Sequence, residues 1–274
     1  MIKINNFELQ QCEFPDGTLL LKGMQNVPND NASGYIQYVI EWYYENDAEL
    51  FTLICARKHL GNARCRLYLP YCPHARMDRV KNEGDVFTLK YFAETINSLN
   101  FEQVVICDPH SNVTPALFDR CIVEEPTAAI ARAIDASAAE AICYPDEGAM
   151  KRYSAMAPLP YAFCIKKRNW ETGRIEGLDL QNADAIKGKN VLIVDDICSR
   201  GGTFYYTAKA LKEAGAKSIS LYVTHLEETV LDGDLYAAMQ NGELIDHIFT
   251  TKSIWNYHNS HITVLNNIPV GGTK

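Results

Sequence analysis

The chain has 274 residues, of which 47% are apolar and 22% are charged, a balance that supports a sizeable core in one large or two medium domains. Its formal net charge of −8 at pH 7 argues against a protein that binds nucleic acid through an extended basic surface. An anionic small molecule must therefore be held by local cations or by backbone N–H groups.

The nine cysteines are an odd number, form no Cys-x-x-Cys pair and lie in part inside apolar runs. Such cysteines are typical of buried thiols in a reducing compartment rather than of a disulfide framework or a zinc site. The N-terminal sequence MIKINNFELQ lacks the apolar stretch of a signal peptide, and no run of about 18 apolar residues predicts a membrane span. We expect a cytoplasmic protein.

Apolar runs and helical stretches alternate along the chain. Strands are predicted at 66–71, 103–108, 141–146, 161–168, 191–196 and 218–224, and helices at 84–99, 124–140, 147–157 and from Phe204 to a stop at Gly215. Strands that alternate with helices form parallel sheets covered on both faces, so the pattern predicts an α/β protein. We expect two α/β halves that meet near residue 140.

Polar side chains follow several of these strands at the point where each strand ends. Asp108 and His110 follow one strand, Asp146 follows another, and Asp195 and Asp196 end a third. In open α/β sheets, ligands bind at the carboxyl ends of the strands. These residues are therefore the first candidates for a functional site.

The stretch NVLIVDDICSRGGTF, residues 190–204, predicts a sugar-phosphate site. Two adjacent carboxylates at a strand end can accept hydrogen bonds from a vicinal diol such as O2 and O3 of ribose. Gly201 and Gly202 permit close approach and positive φ, and Thr203 opens a helix whose N-terminus favours a phosphate. The alternative is an acidic strand end followed by a glycine turn that binds no ligand.

The same stretch resembles the phosphoribosyl-diphosphate-binding signature of type I phosphoribosyltransferase folds. Other segments resemble ribose-phosphate diphosphokinases, also called phosphoribosyl-diphosphate synthetases. These segments are FPDG (14–17), PYCPHARMDR (70–79), CDPHS (107–111), YPDEGAMKR (144–152) and IKKR (165–168). Simple phosphoribosyltransferases lack the first three motifs, so the combination is specific.

The resemblance implies two phosphoribosyltransferase-like domains, which we place at residues 1–140 and 141–274, with mainly parallel sheets flanked by helices. It also implies Mg²⁺, ATP as co-substrate, and transfer of the β,γ-diphosphate of ATP to the anomeric hydroxyl of a ribose 5-phosphate-type acceptor. A homo-oligomer is expected on the same ground, with no nucleic acid or membrane as partner.

The resemblance also assigns roles to individual residues. The residues expected to bind ATP are Phe14, Asp16, Arg76, Asp78 and Arg79. The residues expected to bind the sugar phosphate are Asp195, Asp196, Ser199, Arg200, Gly201, Gly202 and Thr203. Lys167, Arg168 and His110 are the catalytic candidates, and His110 and Asp146 the metal ligands. Two alternatives stay open for these residues on chemical grounds. Phe14 either stacks on adenine or lies in the core, and Arg76 and Arg79 either bind phosphates or form a surface ion-pair cluster.

The polar segment that follows IKKR, residues 169–184, is expected to be a mobile lid over the transferring group. Lys167 and Arg168 would then close over the reacting phosphates, where charge neutralisation and exclusion of water favour the transfer. A solvated basic turn is the alternative.

The chain departs from the family pattern in the phosphate loop. Members usually carry Asp-Thr where this chain has Ser199-Arg200, and Asn169 replaces the second Arg of the lid triplet. The added guanidinium suits extra anionic oxygens. Ribose 5-phosphate and a larger 5-substituted ribose such as ADP-ribose, within NAD salvage, both stay open as acceptors. A phosphoribosyltransferase that consumes the activated sugar, and a non-catalytic regulatory relative, are the competing classes.

Overall fold

The computed structural model describes residues 1–28, 37–168 and 175–265, which divide into two compact units, Met1–Glu125 and Pro126–Lys274. Each unit contains one mainly parallel sheet. The predicted α/β class is thus confirmed. In the described part of the chain, no helix is both long and apolar enough to cross a membrane.

The first unit carries a six-stranded sheet and a separate two-stranded hairpin. Its elements are β1 (Ile2–Ile4), β2 (Phe7–Glu8), β3 (Gln10–Glu13), β4 (Leu19–Lys22), β5 (Gln37–Trp42), α1 (Ala48–His59), β6 (Arg64–Leu69), α2 (Thr88–Ser98), β7 (Gln103–Cys107), α3 (Val113–Leu117) and β8 (Cys121–Glu124). The sheet order is β2-β1-β5-β6-β7-β8; β5 to β8 are parallel, and β1 runs antiparallel to both neighbours. The antiparallel β3–β4 pair forms the hairpin.

The second unit carries a seven-stranded sheet. Its elements are α4 (Thr127–Ser137), β9 (Ala141–Tyr144), α5 (Glu147–Tyr153), β10 (Tyr161–Arg168), β11 (Ile175–Gln181), β12 (Asn190–Cys198), α6 (Gly202–Glu213), β13 (Ser218–Leu226), α7 (Asp234–Gln240), β14 (His247–Thr251) and β15 (Ile262–Leu265). The order is β11-β10-β9-β12-β13-β14-β15, and only the β10–β11 pair is antiparallel.

The central position of β12 in the sheet explains why its apolar run is continuous. Val191 and Ile193 pack in one buried cluster with Phe204 and Leu211 of α6. Leu192 and Val194 pack in another cluster with residues of α4 and α5. A strand buried on both faces needs apolar residues at every position rather than at alternate ones. The apolar run therefore ends at Val194, where the acid pair begins.

The division between Glu125 and Pro126 differs from the predicted boundary at residue 140. Helix α4 belongs to the second unit because Ile130 and Ala133, both fully buried, pack against Leu192 and Val194 of β12. The Ala-rich sequence predicts a helix here but does not indicate which sheet its apolar face will cover.

The segment after β10 also differs from the prediction. Part of the expected lid, residues 175–181, is the edge strand β11, which pairs antiparallel with β10. Leu178 and Leu180 pack against the core of the unit, which fixes the strand. Their alternation with the polar residues Asp179 and Gln181 is a period-two pattern that predicts a half-buried strand. Residues 169–174 of the expected lid lie outside the described residues.

Replacing Ile130 by Ala should destabilise the second unit selectively, because the shorter side chain leaves a cavity beneath β12 at a cost of about 2–5 kcal/mol. Hydrogen exchange should accelerate in β12 and β13 and stay unchanged in β6 and β7. The control Ile122→Ala removes a side chain that is 41% exposed, so its effect should be within about 0.5 kcal/mol. Faster exchange in β6 and β7 alone would place α4 with the first unit.

Candidate active site

The acid pair Asp195–Asp196 lies near the carboxyl end of β12, beyond the last residues that pair with β9. Asp196 is buried and Asp195 partly buried. Asp195 Oδ1 accepts a hydrogen bond from the backbone N–H of Asp196 at 2.9 Å. The sequence prediction of adjacent carboxylates beside a strand end is met, although β12 continues to Cys198.

The two carboxyl groups have different neighbours. Burial, followed by the negative charge of Asp196, raises the pKa of Asp195 well above its ordinary value, and Asp146 adds to the same shift. Asp196 lies 4.0 Å from the guanidinium Nη1 of Arg152 on α5. Like charges this close resist joint ionisation, so the site favours the protonated form of Asp195 more than water does. A hydroxyl donor or a cation brought to the pair would favour full ionisation.

Backbone geometry prepares the loop after β12 for an anion. Gly201 has φ of 81° and is the N-cap residue of α6, so it offers no side chain to cap the helix. Gly202 is the first helical residue and does not have positive φ, which corrects that part of the prediction. The first N–H groups of a helix have no intrahelical acceptor and attract phosphate oxygens. Ser199 is half-buried, Arg200 and Thr203 are exposed, and Thr203 lies in the first turn.

Asp146 lies just after β9 and caps α5, where its Oδ1 accepts from the backbone N–H of Ala149 at 3.0 Å. This carboxylate is also close enough to Asp195 to influence its pKa. The second unit therefore brings three of the predicted residues, Asp146, Asp195 and Asp196, to one edge of its sheet. Arg152, six residues after Asp146, lies within the YPDEGAMKR segment, but the resemblance assigns it no role.

The FPDG segment forms the tip of the β3–β4 hairpin. Phe14 is 48% exposed, so it is not a core residue. Asp16 Oδ1 accepts from the hydroxyl of Thr18 at 2.7 Å and from its backbone N–H at 3.0 Å, and these two hydrogen bonds lower the pKa of Asp16. Gly17 has φ of 80°, which glycine adopts without strain. The hairpin thus presents an aromatic ring beside a carboxylate that stays ionised.

The HARMDR segment lies in the loop after β6. Arg76 and Arg79 are exposed, and Arg79 Nε pairs with Asp78 Oδ1 at 3.1 Å. The ion-pair cluster considered from the sequence is therefore present for these two residues. An exposed ion pair contributes little to stability, so its guanidinium stays available to an anion.

Asp108 and His110 follow β7 in the same unit. Asp108 is buried and has φ of 43°, an uncommon conformation outside glycine, and His110 is exposed. Uncommon backbone conformations of this kind cluster at functional sites. His110 belongs to the first unit and Asp146 to the second, so their joint role as metal ligands stays a prediction.

The side chains of Lys167 and Arg168 lie outside the described residues, and only their backbone is placed. It pairs with β11, with a register irregularity between the two residues.

The donor set fits Mg²⁺ bound in part by substrate rather than by a protein cage. Among residues 1–28, 37–168 and 175–265, no group of three or more His, Cys, Asp and Glu side chains is arranged to hold a metal. Mg²⁺ usually takes one or two carboxylates, substrate oxygens and several waters. Asp146 and Asp195 bring carboxyl oxygens, the ligand type that Mg²⁺ prefers, to the same edge of the sheet.

Comparisons with known proteins agree with this geometry. A family model described as a phosphoribosyl transferase domain matches residues 149–250, a span that contains the acid pair and the phosphate loop. A crystal structure of phosphoribosylpyrophosphate synthetase from Mycobacterium smegmatis matches the fold with a TM-score of 0.74, covering 94% of this chain and 86% of that chain at 19% identity. The fold and the loop therefore define a phosphoribosyltransferase-type protein.

Two archaeal relatives narrow the class. The chain is 31% identical to the ribose-phosphate pyrophosphokinase of Pyrococcus abyssi over 231 residues, which is 81% of this chain and 77% of the relative. It is 30% identical to the enzyme of the same name from Thermococcus kodakarensis over 227 residues, 80% of this chain and 77% of the relative. The chain belongs to the ribose-phosphate pyrophosphokinase family, as the motifs predicted.

The raised pKa of Asp195 gives a testable dependence of stability on pH. A carboxyl group whose pKa is raised by folding contributes its full stability below the unfolded-state pKa of about 3.9, and this stability is lost as pH rises through the folded-state pKa. Asp195→Asn should therefore raise the free energy of unfolding at pH 7, because the neutral amide removes one of two adjacent negative charges. The gain should vanish near pH 4. Thermal unfolding of the metal-free protein across this pH range measures it.

The matched control is Asp184→Asn, an exposed aspartate of the same unit. It should leave stability unchanged at both ends of the pH range. If Asp195→Asn lowered stability at pH 7, or changed it equally at all pH values, Asp195 would not be the strained carboxyl group of the pair.

Proposed function

We propose that the protein transfers the β,γ-diphosphate of ATP to the anomeric hydroxyl of ribose 5-phosphate and releases AMP. The observation that carries the proposal is the adjacent acid pair Asp195–Asp196, which residues 197–201 separate from the start of α6, whose N-terminus has no side-chain cap. Membership of the ribose-phosphate pyrophosphokinase family supplies the reaction.

The acceptor is held at both ends. Asp195 and Asp196 accept hydrogen bonds from O2 and O3 of the ribose, and ionised carboxylates are strong acceptors for such donors. The 5-phosphate lies against the N–H groups of the loop and the first turn of α6, where the helix dipole favours negative charge. This two-point attachment fixes the direction in which the anomeric hydroxyl faces.

The nucleotide is held by the first unit. Phe14 offers an exposed ring for stacking on adenine, and Asp16 accepts from the exocyclic amino group. Arg76 and Arg79 neutralise phosphate charge, with Asp78 orienting Arg79. His110 is proposed as a ligand of the phosphates or of the metal.

In the reaction the anomeric oxygen forms a bond to the β-phosphorus of ATP. The bond from that phosphorus to the oxygen shared with the α-phosphate breaks, its electron pair stays on AMP, and the hydroxyl proton passes to water. Lys167 and Arg168 neutralise the charge on the transferring group, since phosphoryl transfer depends on positioning and electrostatics. Mg²⁺, held by Asp146 and substrate oxygens, supplies further charge neutralisation when bound.

Incubation of the purified protein with ATP, Mg²⁺ and ribose 5-phosphate should yield AMP and a sugar product heavier by one diphosphate group. Mass spectrometry identifies the product and a coupled assay counts AMP. Asp196→Asn should lower kcat/KM for the sugar about 100-fold or more, because removing one charge-assisted contact made in the transition state costs about 2.7–4 kcal/mol.

Variants of the first unit separate this reaction from that of a phosphoribosyltransferase. Arg76→Ala and Asp16→Ala should abolish AMP formation if ATP is the donor. If AMP never forms while the protein joins the activated sugar to a base, and both variants keep that activity, the phosphoribosyltransferase alternative is correct. Loss of every activity in the wild type would favour a regulatory relative.

A second acceptor is suggested by the loop sequence. Ser199 and Arg200 replace the usual Asp-Thr, and the Arg200 side chain is exposed and forms no ion pair with the other described residues. A guanidinium in this position suits an acceptor whose 5-phosphate carries a further phosphate, such as ADP-ribose. We propose ADP-ribose as the alternative acceptor.

The variant Arg200→Ala tests this second acceptor. It should raise KM for ADP-ribose about tenfold or more, because one charge-assisted hydrogen bond is lost. KM for ribose 5-phosphate should change less than about threefold. Initial rates measured with both acceptors give the change in KM for each. Lys209→Ala, in α6, is the control and should change neither KM. Equal effects on both acceptors, or no product from ADP-ribose, would remove the second candidate.

A further inference from the structure

The turn that precedes α7 packs against the phosphate loop. Gly233, the N-cap residue of α7, has φ of −100° and ψ of 156°, a conformation that any residue can adopt. A Cβ atom added to Gly233 would nevertheless lie 1.9 Å from the carbonyl oxygen of Arg200 and 2.9 Å from its carbonyl carbon. Glycine is therefore required here for space, not for backbone conformation.

The peptide group between Arg200 and Gly201 is also held at Gly201, which contacts Leu235. A Cβ atom added to Gly201 would lie 2.6 Å from Cδ2 and 2.7 Å from Cβ of Leu235. Leu235 is fully buried and belongs to the core of the second unit, so it has no freedom to withdraw. The backbone N–H of Glu227 also donates to the carbonyl of Cys198 at 2.8 Å, which ties the start of the loop to the same segment.

Planarity of the peptide group turns these contacts into a constraint on the ligand site. In a trans peptide the C=O and the following N–H point in opposite directions. With the carbonyl of Arg200 directed at Gly233, the N–H of Gly201 must point away from the turn. Rotation of this peptide would replace a donor facing the anion by an acceptor, which repels a phosphate.

We infer that Gly233 and Leu235 are positioning residues that fix the Arg200–Gly201 peptide so that its N–H faces the sugar phosphate; the inference rests on the proposed function. They touch the loop and not the substrate, so they act on binding of the phosphate end. Affinity for the sugar phosphate, rather than for ATP, is the property that they set.

The test compares Gly233→Ala with Gly242→Ala. Gly233→Ala should raise KM for ribose 5-phosphate at least tenfold and leave KM for ATP within twofold. Gly242, just beyond α7, has φ of 68°, and an added Cβ there would meet no atom within 4 Å. Its replacement strains the same segment and should lower the melting temperature without changing either KM. A merely structural role for Gly233 would give the two variants the same kinetic behaviour.

An unchanged KM for ribose 5-phosphate in an active Gly233→Ala variant overturns the inference. An inactive wild type would instead contradict the proposed function, and a second measurement then decides. Titration of ¹⁵N-labelled protein with inorganic phosphate should shift the Gly201 amide resonance in the wild type and much less in Gly233→Ala. Equal shifts in both proteins, or no shift in the wild type, overturn the inference independently of turnover.

Discussion

The acid pair at the end of β12 is the constraint on which the rest of the site depends. Asp195 and Asp196 lie side by side, Asp146 is close by, and Arg152 lies 4.0 Å from Asp196 as a counter-charge. Burial of like charges is unfavourable for the folded state, and the raised pKa of Asp195 expresses that cost. Chains commonly retain such strain where a ligand relieves it. A diol and a divalent cation are the partners that we propose for this pair.

The sheet supplies the rigidity that this pair requires. β12 is buried on both faces up to Val194, so the point at which its polar residues begin cannot slide. The loop that follows is held through Gly201, whose left-handed conformation turns the chain into α6. The contact between Gly233 and Arg200 then sets the orientation of one peptide group within that loop. In the proposed function, recognition of the sugar phosphate would thus depend mainly on backbone N–H groups, in a chain whose net charge is negative.

Much of this architecture could be predicted from the sequence, because strands buried on both faces are continuous apolar runs. β9, β12 and β13 are of this kind, and the acids follow from the rule that ligands bind at the carboxyl ends of such strands. The place of α4 could not be predicted, because an apolar helix face does not specify the sheet that it will cover. β8 was missed, since its four residues merge with the helical pattern that follows.

Contacts between segments far apart in sequence could not be predicted either. The proximity of Arg152 to Asp196 depends on how α5 lies against β12, and the role of Gly233 depends on a loop that precedes it by more than a helix and a strand. Neither leaves a periodic signal in the sequence. β11, in contrast, was overlooked although Leu178 and Leu180 alternate with polar residues.

The most direct measurement is a crystal structure of the protein soaked with Mg²⁺ and ribose 5-phosphate. We expect O2 and O3 of the ribose to lie within hydrogen-bond distance of Asp195 and Asp196, and the phosphate to accept hydrogen bonds from the backbone N–H groups of residues 200–203. A sugar bound elsewhere, with the acid pair turned away from it and no phosphate at the start of α6, would contradict the account.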